Sequence, residues 1–386
     1  MAYASTVFNQ LLNFVPRQHF NAFVRQHEAD RYVKKLTTWN QFMALLYAQA
    51  TGKESLRDIE TGLVMQSEKW AHLGIHSVAR SSLSYANNHR DYRIYEQLFY
   101  EILSQCQGVA VRKSFSFANP LYLLDATTIQ LCLSVFNWAT YTKTKGALKL
   151  HTLLDNTTMM PEVIVSSTGK TGDVTAGKLM ELPLTLKQGS IVVFDRAYID
   201  YTWWDELDER GIYFVSRVIT NTAILVMGQH DLPQGSVLAD DRVLIGENNG
   251  YAKVLRRVRI LDDKTKTVYE YVTNNFKLAG IQIAEIYKQR WQIELFFKWI
   301  KQNLKIKTFL GTSENAVLSQ IWIAMIYYLL LAYIKFQTKF PKSLLELTRM
   351  VREVLFVRRS LIDLLSLDSK TVHKFERPPD IQLKMF

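Results

Sequence analysis

Residues 321–334 read IWIAMIYYLLLAYI, fourteen consecutive side chains without a charge. A helix built from them is apolar on every face, so it has to be enclosed on every side. A membrane span takes about 20 such residues, and Gln320 and Lys335 bracket this run. A buried core helix is therefore expected, which demands a domain large enough to surround it. The chain has the means: 386 residues, of which 48% are hydrophobic and 12% aromatic. Such a composition excludes a mostly disordered chain, and two or three domains fit the length.

Charge narrows the partners. Lys and Arg outnumber Asp and Glu by 47 to 36, a net charge of +11. That excess suits a polyanion, with nucleic acid ahead of an anionic membrane, although a merely basic protein has the same balance. Cys106 and Cys132 form neither a zinc spacing nor a disulfide framework, as expected in a reducing cytoplasm. The opening MAYASTVFNQLLNFVPRQHF lacks the cationic start and apolar core of a signal peptide.

The texture changes along the chain. Up to about residue 110 it reads as helices. TWNQFMALLYAQAT is stopped by Gly52, SLRDIETGLVMQ follows, and SSLSYANNHRDYRIYEQLFYEILSQC reads as one further helix capped by its serines. Arg57, Arg80, Arg90 and Arg93 lie near helix starts, as in a small DNA-binding bundle; solvated arginines on ordinary helices are the plainer alternative. Apolar and β-branched runs at 121–125, 128–136, 147–155 and 162–167 then read as a meander of strands. Next come helix-like TAGKLMELPLTL, strand SIVVFD, a helix at 200–209 and strand IYFVSRV, together a mixed α/β sheet covered by helices. Residues 219–278 are β-rich again, and helices are expected near 280–306, 314–336 and 342–357.

The chemistry concentrates in IYKQRWQIELFFKWIKQNLKIK, residues 286–307. Read as one helix at about 100° per residue, it places Tyr287, Arg290, Glu294, Lys298, Lys301 and Lys305 in a stripe roughly 80° wide. Ile293, Leu295, Phe296, Phe297, Trp299 and Ile300 fill the rest of the circumference. A salt-bridge ladder of Glu294 with Arg290 and Lys298 explains part of the stripe. One acid cannot neutralise four cations, however, and the surplus suits a phosphate backbone with a metal at its centre. Two more acids end apolar strands: Asp125 in LYLLDATT and Asp195 in IVVFDRAYID. Such an acid is costly unless paired, used as a helix cap or bound to a metal. Hard oxygen donors of this kind suit Mg²⁺ or Mn²⁺, and two such ions about 4 Å apart serve an in-line displacement.

Tyr287-x2-Arg290-x3-Glu294-x6-Lys301 resembles the Tyr-Arg-Glu-Lys signature of the insertion sequence four family of bacterial DDE transposases. FDRAYID is similar to the Asp-Arg-Gly-Tyr stretch around that family's second catalytic Asp, with Ala197 in place of the more usual Gly. SLRDIE and RSSLSYANNHRDYRIYEQLF resemble its helical DNA-binding region, so the likeness extends from about residue 5 to 340.

The resemblance implies an α/β fold: an RNase H-like mixed-sheet catalytic core with a β-rich insertion, preceded by a helical DNA-binding domain. The corresponding division is 1–110 for DNA binding, 111–218 and 279–340 for the core, 219–278 for the insertion and 341–386 for a C-terminal helical region and tail. Asp125, Asp195 and Glu294 then form the DDE triad holding two divalent ions, Mg²⁺ or Mn²⁺. Tyr287, Arg290 and Lys301 grip DNA phosphates near the cleaved end. Relatives cut in two strokes: water hydrolyses one strand, and the freed 3′-OH attacks the other, leaving a hairpin. After the hairpin opens, the 3′-OH attacks target DNA. The expected partners are terminal inverted repeats, target DNA and a second protomer on DNA, in the cytoplasm beside the nucleoid and with no membrane. An aromatic of the insertion holds a flipped base in relatives; Tyr251, Tyr269 and Tyr271 are candidates, with sheet packing as the alternative.

Lesser candidates for DNA contact are Lys143, Lys145 and Lys149 on a hairpin, and Lys253, Arg257 and Arg259 along one strand face. His151 suits a hydrogen-bonded structural role or faces the metal site from a neighbouring strand. RMVREVLFVRR serves either protomer pairing or DNA contact. The rival functions are a metal-dependent nuclease of the same fold without strand transfer, and a transposon-end-binding regulator without catalysis.

Overall fold

A computed structural model describes residues 5–70, 73, 78–107, 119–140, 142, 146–218, 222–233, 235–245, 253–303 and 309–366. Seven helices come first: α1 (Val7–Leu12), α2 (Arg17–Gln26), α3 (Thr38–Thr51), α4 (Leu56–Met65), α5 (Ser67–Trp70), α6 (Arg80–His89) and α7 (Arg93–Gln107). The α3 helix starts where Thr37 accepts from the Asn40 N–H and ends where Gly52 takes φ 70, a conformation costly for any residue with a Cβ. The serine-rich stretch is two helices, α6 and α7, and Ala79 occupies the N-cap without a side-chain bond. Asn315 produces the break: its Nδ2 donates to the carbonyls of Asn87 and Arg90, and its Oδ1 accepts from the Tyr92 N–H.

The sheet begins with β1 (Leu121–Leu131), β2 (Gly146–Asp155) and β3 (Pro161–Thr168). Residues 121–125 and 128–131 thus belong to one strand, and 132–136 turn away from it. After α8 (Asp173–Leu179) and α9 (Leu182–Thr185) come β4 (Ile191–Phe194), α10 (Tyr201–Glu209) and β5 (Tyr213–Arg217). Strands β6 (Ile224–Gln229), β7 (Val237–Ile245), β8 (Val254–Asp262) and β9 (Thr267–Thr273) complete it. The order is β3-β2-β1-β4-β5-β9-β8-β7-β6, with β1, β4 and β5 parallel and β5 antiparallel to β9. The first five strands are an RNase H-like core, and the β-rich block extends the same sheet.

Alternate residues of β1 enter different cores. Leu121 and Leu123 face one cluster, and Tyr122 and Leu124 the other, which also holds Trp203, Trp204 and Phe214. The first cluster is organised by the C-terminal helices: α11 (Gly280–Lys288), α12 (Trp291–Asn303), α13 (Glu314–Gln337), α14 (Leu344–Val354) and α15 (Leu361–Ser366). The α13 helix contains the apolar run and is long and apolar enough to cross a membrane, yet 94% of its most apolar window is buried inside the fold. It is a core helix against which α3, α6, α7 and α14 pack. The N-terminus closes against the far end, with Val7 and Phe8 donating to the carbonyls of Val357 and Leu355.

The signature stretch is not one helix. It breaks between α11 and α12, where the N–H groups of Gln289, Arg290, Gln292 and Ile293 each donate three residues back. The single stripe read across 287–305 is therefore interrupted at Arg290, which keeps its contacts with Tyr287 and Glu294 and adds one to Asp125.

In the extended sheet, Arg256 is fully buried and forms two 2.7 Å bonds to Asp240, while its remaining donor reaches the carbonyls of Asn275 and Leu278. Gly280 permits the close approach of α11, since a Cβ there would lie 2.8 Å from Asp240 Oδ2. Asp240→Ala strands a buried guanidinium and is expected to cost about 3–5 kcal/mol in urea unfolding, whereas an apolar replacement of both partners recovers most of it.

Candidate active site

Strand pairing brings two acids to one level. In the parallel β1–β4 pair, Leu124 lies opposite Phe194, so Asp125 and Asp195 follow on neighbouring strands. Asp125 sits inside β1, where its partnership with β4 stops, while Asp195 directly follows the last residue of β4. The Asp195 carboxylate also caps a short 3₁₀ turn at 196–198, accepting from the Ala197 N–H at 2.8 Å. The third acid arrives from the helical layer. Ile293, Phe296, Trp299 and Ile300 of α12 are buried, and Phe296 and Trp299 both pack on Tyr328 of α13 with ring centres 4.9 Å apart. This seats the first turn of α12, with Glu294, beside β1 in the interior of the sheet.

Arg290 joins the pieces. Its guanidinium donates to Asp125 Oδ2 at 3.1 Å and, through its other terminal nitrogen, to Glu294 Oε1. The Tyr287 ring lies 5.9 Å from the guanidinium and 5.0 Å from Tyr271. Burial pushes the Asp125 carboxyl up to about 6, and Asp195 and Glu294 push the same way; the Ala126 N–H and Arg290 oppose without prevailing. For Arg290 itself, burial is outweighed by Tyr287, Asp125 and Glu294, so the guanidinium stays charged. Among the described residues no three His, Cys, Asp or Glu side chains stand as a ready ligand cluster. A cationic side chain instead bridges two of the three acids.

The other sequence candidates divide. Lys298 and Lys301 are exposed on α12, but so are Trp291 and Leu295, which corrects the expectation that Leu295 is packed. Arg57, Arg80 and Arg93 are exposed on the N-terminal helices. Arg90 is not: it is buried, with its guanidinium on Gln41 and the Leu36 carbonyl, and so is a structural group. Arg257 is likewise corrected as a phosphate contact, being paired with Asp241 and, at 3.2 Å, with Glu270. Lys149 pairs with Asp173, and Lys253 with Asp205 and Asp208; Arg259 is half-buried.

Lys143, Lys145, Tyr251 and Lys305 lie outside the described residues. Tyr269 and Tyr271 stack on each other, 6.4 Å between ring centres. His151 pairs in register with Ala126, on the sheet face opposite Asp125, and is hydrogen-bonded to Ser167 at 2.9 Å. Burial pushes its pKa down to about 4, so it is a neutral structural group. Sequence reading paired Arg290 with Glu294, as the structure has it, and missed its second bond, to Asp125. The residue was marked by its cationic neighbours, but the break beside it has no Gly or Pro to announce it.

Two acids at the end of the β1–β4 pairing and one on α12 thus lie within an RNase H-like core. Residues 117–330 match the Transposase DDE domain, and residues 3–76 a Domain of unknown function (DUF4372). The chain is 31% identical over 283 residues to the Probable transposase for insertion sequence element IS5377 of Geobacillus stearothermophilus, covering 72% of each. It is 29% identical over 314 residues to y4zB of Sinorhizobium fredii, also named as a transposase, covering 79% of this chain and 82% of that one. Similarity at 24% over 182 residues reaches the Transposase for insertion sequence element IS231F of Bacillus thuringiensis subsp. israelensis, 34% of this chain and 38% of that one. The solved piggyBac transposase synaptic complex with hairpin DNA aligns at a TM-score of 0.49 and 11% identity, over 98% of this chain and 83% of that chain, too distant to argue from. The chain belongs to the DDE transposases, of the insertion sequence four type. It is a DNA transposase, and the DDE domain implies chemistry with divalent metal.

The Asp125 shift gives a signed pH dependence. A carboxyl whose native value is about 6 and whose ordinary value is 3.8 holds its proton more tightly when folded. Its contribution to stability is full at low pH and is lost as pH rises through 6. Between about pH 7 and pH 4, the native protein should gain stability relative to Asp125→Asn in urea unfolding; parallel profiles would contradict the shift.

Proposed function

We propose that Asp125, Asp195 and Glu294 are the catalytic carboxylates of a cut-and-paste transposase acting on the terminal inverted repeats of its own element. The observation that carries the reading is the Arg290 bridge between Asp125 and Glu294, beside Asp195 on the next strand. The donor set fits a hard divalent cation: three oxygen acids, two of them already arranged around one positive group. Two ions, Mg²⁺ or Mn²⁺, are held by these acids in this reading; when bound they supply charge stabilisation to both the entering and the leaving oxygen.

The protein's own residues orient the DNA. Arg290, with Tyr287 against it, and Lys298 and Lys301, exposed on α12, suit phosphate oxygens. In the first step a water oxygen bonds to phosphorus and the 3′-oxygen of one strand leaves. The freed 3′-OH then bonds to the phosphorus of the opposite strand, closing a hairpin and releasing the flank. A second water opens the hairpin, and the same 3′-OH joins to target DNA. Two protomers, each holding an end, act together on DNA in the bacterial cytoplasm, beside the nucleoid.

Alanine in place of Asp125, Asp195 or Glu294 should leave binding of a terminal-repeat duplex within about twofold while strand cleavage in Mg²⁺ falls to background, a difference of at least about 4 kcal/mol in barrier for a thousandfold loss. A precut end with a free 3′-OH should give a joined product with target DNA; cleavage without joining would point to a nuclease.

A further inference from the structure

Close behind the second acid stands a buried phenol that the chemistry above does not use. Tyr198 is only 1% exposed and ends the 3₁₀ turn that the Asp195 carboxylate caps. Asp195 holds both ends of that turn. Its side chain accepts from the Ala197 N–H, and its carbonyl accepts from the Tyr198 N–H at 3.2 Å. A fixed Tyr198 ring therefore fixes the turn and the carboxylate that caps it.

The ring is anchored from the far side of β1. Its hydroxyl meets Nδ1 of His151, a fully buried residue of β2, at 3.4 Å. Strand β1 lies between β2 and β4, so this contact reaches across β1, level with Ala126 and on the face opposite Asp125. His151 Nε2 is in turn 2.9 Å from the Ser167 hydroxyl on β3. Helix α8 covers the arrangement: a Cβ added at Gly177 would lie 3.3 Å from the Tyr198 ring, and Lys149 fastens α8 to β2 through Asp173 at 3.0 Å. Burial keeps the phenol protonated, with Asp125, Asp173 and Asp195 pushing the same way, and burial keeps His151 neutral. The hydroxyl therefore donates to Nδ1, and the Nε2–H donates to Ser167.

We propose that Tyr198, anchored by His151, is a positioning residue: a strut beneath β1 that holds Asp195 at a set place relative to Asp125 and so raises the affinity of the acids for divalent metal. Hydrogen-bonded groups that orient metal ligands without touching the metal change its affinity by about 10–100-fold when removed. The inference rests on the reading of these acids as metal ligands.

The test follows the melting temperature of the full chain without DNA as Mn²⁺ is added, because an ion that binds only the folded state raises it with concentration. Tyr198→Phe removes one oxygen and keeps the ring. In chelator it should melt close to the native protein and bind a terminal-repeat duplex equally well. It should need about tenfold more Mn²⁺ both for the same rise in melting temperature and for half-maximal cleavage. His151→Leu should behave alike, with no further loss in the double variant. His151→Asn, which returns an acceptor near the place of Nδ1, should recover most of the native response. A native Mn²⁺ requirement in Tyr198→Phe overturns the strut, whatever its melting temperature in chelator, and so does a His151→Asn no better than His151→Leu. A native chain whose melting temperature ignores Mn²⁺ removes the metal reading and the strut together, so the native protein alone tells the two failures apart.

Discussion

One guanidinium between two carboxylates ties the helical layer to the sheet. Arg290 and Asp125 are 165 residues apart in the chain, and their contact holds the start of α12 beside β1. Isolated acids there would be expensive to bury, and Arg290 alone does not offset the cost, since burial still holds Asp125 near 6. The site is therefore electrostatically tense: three acids share limited positive charge. A group of that kind favours any further cation with room among its oxygens.

The frame that holds this tension is largely apolar. Alternate residues of β1 enter two separate cores, so the strand bearing Asp125 is fixed from both faces. The α13 helix, buried from Ala316 to Ala332, gives α12 its aromatic seat and gives the N-terminal helices their attachment through Asn315.

Much of this was legible in the sequence. The apolar run at 321–334 required a core helix, Gly52 marked the end of α3, and IVVFD announced an acid at a strand end, because each signal is local. The acids' family signature was readable for the same reason. Non-local physics hid the rest. Nothing local separates α6 from α7, since the break depends on Asn315 from another part of the chain. Arg90 and Arg257 read as surface cations until Gln41, Asp241 and Glu270 are brought to them by folding. The long helix read at 286–307 has no breaker residue, so the turn at Gln289 and Arg290, and the bond from Arg290 to a distant strand, had no local signal.

Whether the three acids are direct ligands is tested by exchanging each in turn for cysteine, whose thiolate is softer than a carboxylate and tolerates Mn²⁺ better than Mg²⁺. Cleavage of terminal-repeat DNA should vanish in Mg²⁺ and return in part in Mn²⁺ for the Asp125, Asp195 and Glu294 variants. Native-like cleavage in Mg²⁺ by any one of them would contradict its place in the metal site.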